Sequence, residues 1–292
     1  MNKNITQNAK NTNRTDLAIE NPIKGLQCLE RGECFSITEI VIDTDELGAK
    51  IGKSKGRYVT LETKYSNRFE QNFEPNFEID YAETVEELSG EIKKFIPNEG
   101  LVFVVGLGNN DITPDSLGPK TANKIFATRH LKDENADFFE NLRPVSVLST
   151  GVLAQTGIET AEITEAICKK LSPSAVVIID ALVCSDISRL GKTIQISDAG
   201  IAPGSGVKNS RKQLNTKTLG TPVIAIGVPT VVDIHTIIKS YTDIEPDMEN
   251  MMVTPRDIDK LIDKASDLLA NALNHVFHPD FSIEEIKNLT GS

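Results

Sequence analysis

A chain of 292 residues with 39% hydrophobic residues and no tryptophan has room for one large α/β domain or two smaller ones. Its net charge of −11 argues against a general nucleic-acid surface and mildly favours basic or neutral partners. No run approaches the roughly 20 apolar residues of a membrane span, and the start lacks a secretion signal's apolar stretch.

Four cysteines, Cys28, Cys34, Cys168 and Cys184, show no C-x-x-C spacing, so free thiols in a cytoplasmic protein are expected. Met1 to Thr15 is polar, rich in Asn and Thr, and without hydrophobic period, which predicts a loosely held leader. Order is expected from Arg14 to Glu20 onward. Cys34–Ile42 and Arg57–Thr63 alternate like strands, so a β-hairpin-like excursion is predicted over about 34–82. Its last part, 64–82, reads as loop. Thr84–Phe95 carries Val85, Leu88, Ile92 and Phe95 at helical spacing, opened by Thr84 and Glu87 as a capping box.

Leu101–Val105 is unbroken, apolar and β-branched, the pattern of a strand buried on both faces. Gly106-Leu107-Gly108-Asn109 turns the chain, and a helix is predicted over Thr121–His130. Residues 135–144 connect to a short strand at Val145–Leu148. Ile158–Leu171 is helical, with Cys168 on its apolar face. Ala175–Asp180 is a second buried strand that ends on a carboxylate. Thr193–Asp198 alternates like a strand near an edge and feeds the glycine-rich stretch 199–206. Pro222–Val228 is the last strand, with a helix from Val231. A long amphipathic helix over Pro255–His275 and a short one over Ser282–Leu289 close the chain. Alternation of strand and helix from Leu101 predicts a single α/β domain. Its twisted sheet should be largely parallel or mixed, with helices on both faces.

A strand, glycine turn and helix present their loop at a strand's carboxyl end, where open α/β sheets bind ligands. The loop here is acidic, with Asp111 and Asp115. A dinucleotide fingerprint needs a third glycine where Asp111 stands, and there is no G-K-[ST] for a P-loop. Asp115 is also placed to cap the following helix. Adjacent parallel strands lie about 5 Å apart, so Asp115 and Asp180, each after a buried strand, can share one cleft. Two close carboxylates share a proton, which suits acid–base hydrolysis of an amide. The same pair is a ligand set for a divalent metal, although hydrolytic zinc sites add His. Of the four His, only His235 is placed for that. His130 reads as surface, and His275 and His278 fall at a helix C-terminus, where the dipole favours a cation. Asp186 is positioned to pair with Arg189, and Asp198 ends a strand before the glycine stretch. The residues alone indicate a hydrolase of a polar or peptidic substrate.

Four segments go beyond generic α/β: GLGNNDITPDSLGP, STGVLAQTGIET, IIDALVCSDISRLGKTIQISDAGIAPGSGVKNSR and TLGTPVIAIGVPTVVD. Together they resemble the spore germination protease family, and the resemblance runs from about Arg14 to MMVTPRDID. It implies a fold similar to the hydrogenase-maturation peptidases, phosphorylase/hydrolase-like in broad terms. It also implies a homotetrameric endopeptidase, made as an autocatalytically processed zymogen in the forespore. Such an enzyme degrades small acid-soluble, DNA-coating spore proteins at germination, with no membrane or direct nucleic-acid partner. The family's T-P-D and I-D-A-L aspartates fall on Asp115 and Asp180, with Asp198 and Asp111 as candidate supporting carboxylates. The resemblance implies an aspartic-type peptidase without the D-T-G sequence and without a cofactor. A metal-dependent peptidase using the same aspartates stays open, as does a noncatalytic module holding a basic peptide. The family's cleavage pattern, acidic–hydrophobic–Ala–small–Glu, is matched by Asp16-Leu17-Ala18-Ile19-Glu20, with Ile19 bulkier than the pattern. A cut between Asp16 and Leu17 is therefore expected, dividing a 1–16 propeptide from a 17–292 peptidase domain.

Overall fold

The apolar runs pair into one eight-stranded mixed sheet. The structure is a computed structural model, and it describes residues 15–21, 32–64, 77–133, 142–202, 212–242, 249 and 251–290. The N-terminal part carries β1 (Phe35–Ile42), α1 (Asp45–Ile51), β2 (Gly56–Thr63) and α2 (Phe77–Lys93). The middle carries β3 (Val102–Gly106), α3 (Leu117–Ala122), β4 (Val145–Ser149), α4 (Leu153–Thr156), α5 (Thr160–Leu171) and β5 (Ala175–Cys184). Then come β6 (Thr193–Ser197), α6 (Thr216–Leu219), β7 (Val223–Asp233), α7 (Ile234–Tyr241), β8 (Met252–Val253), α8 (Ile258–Phe277) and α9 (Ile283–Thr290). The strand order is β1-β2-β6-β7-β5-β3-β4, with β8 on the end of β7. Pairing is parallel from β7 through β5 and β3 to β4. It is antiparallel from β7 through β6 and β2 to β1.

Alternation along each strand sends neighbouring side chains to opposite faces. Ala175, Val177 and Ile179 of β5 pack with Val85, Leu88 and Ile92 of α2, Leu117 of α3, and Leu261, Leu268 and Leu269 of α8. Val176 and Ile178 pack the other way, with Ala161 and Cys168 of α5 and Leu219 of α6. Helices therefore cover both faces, as the sequence pattern predicts. The central strands are unbroken apolar runs because both of their faces are covered.

Several element boundaries differ from expectation. The hairpin at 34–82 is no excursion: β2 pairs with β6, so it widens the main sheet and moves β6 from the edge to the interior. Residues 77–82 are helical rather than loop, while 65–76 lie outside the described residues. Tyr81 joins Val85, Leu88 and Ile92 on one face of α2, and its hydroxyl accepts from Asn271 Nδ2 at 2.7 Å. Glu87 forms no capping box with Thr84. Its carboxylate accepts the N–H groups of Glu33, Cys34 and Phe35 at 3.0, 2.8 and 3.3 Å and so fixes the entry to β1. The helix expected at 121–130 ends at Ala122, and Phe126 N–H instead bonds Asn274 Oδ1 at 2.9 Å. Both β5 and β7 outrun their predicted ends, so Asp180 lies inside β5.

Candidate active site

The acidic loop is folded by its own hydrogen bonds. Leu107 N–H continues the ladder onto Ile179 O at 2.8 Å, and Gly108 then takes φ +113°. A side chain at Gly108 would also run into the main chain of Asp115, so only glycine fits there. Thr113–Asp115 makes a 3-10 turn with Pro114 inside it. Asp115 Oδ2 accepts Asn109 N–H at 2.8 Å, which ties the turn back to the end of β3. Asp115 therefore does not cap α3; Ser116 holds that position, and its hydroxyl donates back to Thr113 O at 2.8 Å rather than accepting from the helix. Gln155 Nε2 of α4 donates to Asn109 Oδ1 at 2.7 Å and to Asp111 Oδ2 at 3.0 Å. Asp111 is exposed and Asp115 half-buried on this loop.

Asp180 is 7% exposed, and its Oδ1 accepts Ala181 N–H at 2.9 Å. The neighbouring β3 stops opposite Ile179, so Asp180 is the first β5 residue beyond that strand's end. The Thr113–Asp115 turn packs against β5 and β7. Both aspartates named from the sequence thus belong to the same end of the parallel sheet. Across the sheet, Asp180 stands opposite Gly227 of β7, which in turn stands opposite Gln195 of β6. A Cβ at Gly227 would lie 2.6 Å from Leu182 Cγ, so the missing side chain leaves room for Leu182.

Asp198 is placed elsewhere. It stands three residues beyond Gln195, toward the starts of β5 and β7, and is exposed. There its Oδ1 accepts Arg57 N–H at 2.7 Å and fixes the start of β2. Asp186 pairs with Arg189 at 3.1 Å, as expected. The second half of the glycine stretch, 203–206, lies outside the described residues. Cys184 has its thiol pushed up by burial and then by the Glu20 and Asp186 charges, which holds it protonated and unsuited to nucleophilic work. Among the described residues no three His, Cys, Asp or Glu side chains gather as a metal site, and no helix is long and apolar enough to cross a membrane.

The segment Asp16–Glu20 lies against β5 and β6. Asp16 N–H donates to Val183 O and Val183 N–H to Asp16 Oδ2, both at 2.8 Å. Gln195 Nε2 donates to Asp16 O at 3.1 Å, and Ala18 N–H donates to Gln195 Oε1 at 2.7 Å. Leu17 is fully buried with Leu182, Cys184, Leu190 and Val232. Ala18 is buried with Ile40, Ile42, Tyr58 and Ala199. The Glu20 side chain, 2% exposed, accepts Ser185 N–H, Ser185 Oγ and Asp186 N–H at 2.7, 2.8 and 2.9 Å, with Arg189 at 3.9 Å. Lys53 Nζ donates to Thr15 O at 2.8 Å; burial pulls this ammonium below the usual lysine range, against the Asp16 and Glu20 charges. Beside the segment lies a cavity of about 200 Å³, lined by Asp16, Lys53, Tyr58, Leu182, Gln195 and Gly227 among others.

Gln195, Lys53 and Ser185 were not singled out from the sequence. The visible signal was Gln195 between Ile194 and Ile196, which reads as the solvent face of an edge strand. In the interior of the sheet that polar face is covered by Asp16–Glu20.

A family model described as germination protease matches residues 2–244. The germination protease of Clostridium perfringens is 35% identical over 321 aligned residues, covering 94% of this chain and 97% of that protein. That of Caldanaerobacter subterraneus is 37% identical over 94% of this chain and 97% of its own length. That of Priestia megaterium is 42% identical over 79% of this chain and 66% of its own length. Among solved structures, the NiFe hydrogenase maturation protease HycI of Thermococcus kodakarensis aligns with 63% of this chain and 98% of its own. The TM-score is 0.37 and the identity 17%.

Proposed function

The chain belongs to the germination protease family and is a peptidase, and we propose that it is a self-processing endopeptidase in which Asp115 and Asp180 activate a water. The observation that carries this reading is the seating of Asp16–Leu17 against β5 and β6 of its own chain, on the strands that flank Gly227 and present Asp180 beside it. Two carboxylates at one sheet end divide the work. The ionised one takes a proton from the attacking water, and the protonated one donates to the carbonyl oxygen. Water oxygen bonds the Asp16 carbonyl carbon, and the tetrahedral intermediate then breaks the C–N bond. The proton taken from water passes to the departing Leu17 amine, and the collapsing diol returns the other proton to the aspartate that gave it. Residues 1–16 leave as the propeptide, and 17–292 remain as the peptidase domain.

The substrates on this reading are small acid-soluble proteins that coat DNA in the spore, met in the forespore and spore core by a homotetramer. The net charge of −11 suits an enzyme that takes such proteins once they leave DNA without binding DNA itself. Asp111 acts through the loop it shares with Asp115. Asp198 has no part in the chemistry.

The test is cleavage of a spore-protein substrate by wild type, Asp115→Asn and Asp180→Asn, each with and without a chelator. Each variant should lose about 10³-fold or more, and the chelator should change nothing. Loss of activity in chelated wild type would transfer the aspartates to a metal. Binding without cutting by every protein would indicate a noncatalytic peptide-binding module.

A further inference from the structure

Gln195 is 8% exposed in the middle of an interior strand. Both ends of its carboxamide are used by Asp16–Ala18, and it has no other hydrogen-bond partner among the described residues. A buried amide without partners is costly, so its presence here calls for a main chain to hold. The pairing is specific in register: the donor meets the carbonyl oxygen of Asp16, and the acceptor meets the N–H of Ala18. Contacts on either side lock that register, because Leu17 fills its own pocket and Glu20 is held by Ser185 and Asp186.

We infer that Gln195 is the substrate-positioning residue of the cleavage reaction. Its Nε2–H holds the carbonyl oxygen of the bond to be cut, and its Oε1 holds the N–H of the second residue beyond that bond. This inference rests on the reading of Asp16–Leu17 as the bond cleaved. Gln195 and Asp180 flank Gly227 on one face of the sheet, so their Cα atoms are two strand spacings, roughly 10 Å, apart. A donor already on the carbonyl oxygen strengthens as that oxygen gains negative charge, and loss of one such donor costs about 10²–10³ in rate where it has been measured. Gln195 reads main chain only, so it fixes position for any sequence whose side chains fit the neighbouring pockets.

The experiment compares self-cleavage of full-length wild type, Gln195→Leu and Gln195→Glu by intact mass between about pH 5 and pH 8, with thermal unfolding as the check on folding. A protonated glutamic acid keeps one donor and one acceptor, as the amide does, whereas the carboxylate has no donor and repels the carbonyl oxygen. Gln195→Leu should cut at least about tenfold more slowly than wild type throughout. Gln195→Glu should be slow at high pH, and its rate relative to wild type should climb as pH falls. A purely structural role would lower thermal stability without that climbing ratio. A flat ratio, or Gln195→Leu cutting the same bond at the wild-type rate, would overturn the inference. If Gln195→Leu fails to fold, the Gln195→Glu ratio decides. No cut between Asp16 and Leu17 in wild type would sink the cleavage reading itself, and this inference with it.

Discussion

At the end of α8, His278 is packed edge-on among Phe126, Phe277 and Phe281, with ring centroids 5.3 to 6.5 Å away. The helix C-terminus favours a cation there, as expected from the sequence, but burial wins and pulls the imidazole down to about 4. A base with a depressed folded-state pKa binds fewer protons folded than unfolded. Stability is therefore full above about pH 6.5 and is lost as pH falls toward 4. Urea unfolding of wild type should show about 2 kcal/mol less stability at pH 5 than at pH 7 from this residue. His278→Phe should flatten that part of the slope; an unchanged slope would place the acid sensitivity elsewhere. Glu20 makes a second prediction. Glu20→Gln removes a buried charge held by three donors, which should weaken docking of the segment by about 1–3 kcal/mol. Hydrogen exchange at the amides of Ser185 and Asp186 should speed up, and unchanged protection would show that the carboxylate does not hold them. The placement of Asp115 and Asp180 at one end of the parallel strands was legible because each follows an unmistakable apolar run. Gln195 and Glu20 were not, because their partners are 177 and 165 residues away in the chain.

The β3–turn–α3 element depends on close backbone approach. A Cβ at Gly118 would enter the main chain of Leu107 and would lie 2.6 Å from Ile179 O. Gly118→Ala should therefore cost about 1–3 kcal/mol or more and displace the turn that carries Asp115. A fall in both urea midpoint and activity is expected, and wild-type behaviour in both would show that α3 can retreat without effect. The strands buried on both faces could be found from their apolar runs, since burial on two faces leaves no periodicity to misread. Helix starts and strand ends could not. Glu87 near the start of a helix looks like a cap until β1 is beside it, and alternation in β6 looks like an edge until β2 covers the strand. The last strand was expected to end at Val228, yet β7 passes on through Pro229 with an irregularity opposite Leu182 and Val183.

On the scale of the whole molecule, the sheet brings together residues from both ends of its length. Leu17 reaches the end of β5, and α8 closes the opposite face over α2 and α3. Because Asp16–Leu17 is seated on its own chain, self-cleavage should be first order and keep one rate constant on wide dilution. A rate constant that scales with protein concentration would mean that one copy cuts another. The parallel half of the sheet was readable from its alternating strands and helices. The antiparallel half was not, since nothing local in 34–63 shows that it pairs with a strand beginning at Thr193.

The most direct test is intact mass of the purified chain held at mildly acidic pH, with Asp180→Asn alongside. The expected result is a single mass loss equal to residues 1–16 in wild type, with the variant unchanged. Cleavage of Asp180→Asn at the same bond and rate would contradict an aspartate pair as the hydrolytic centre.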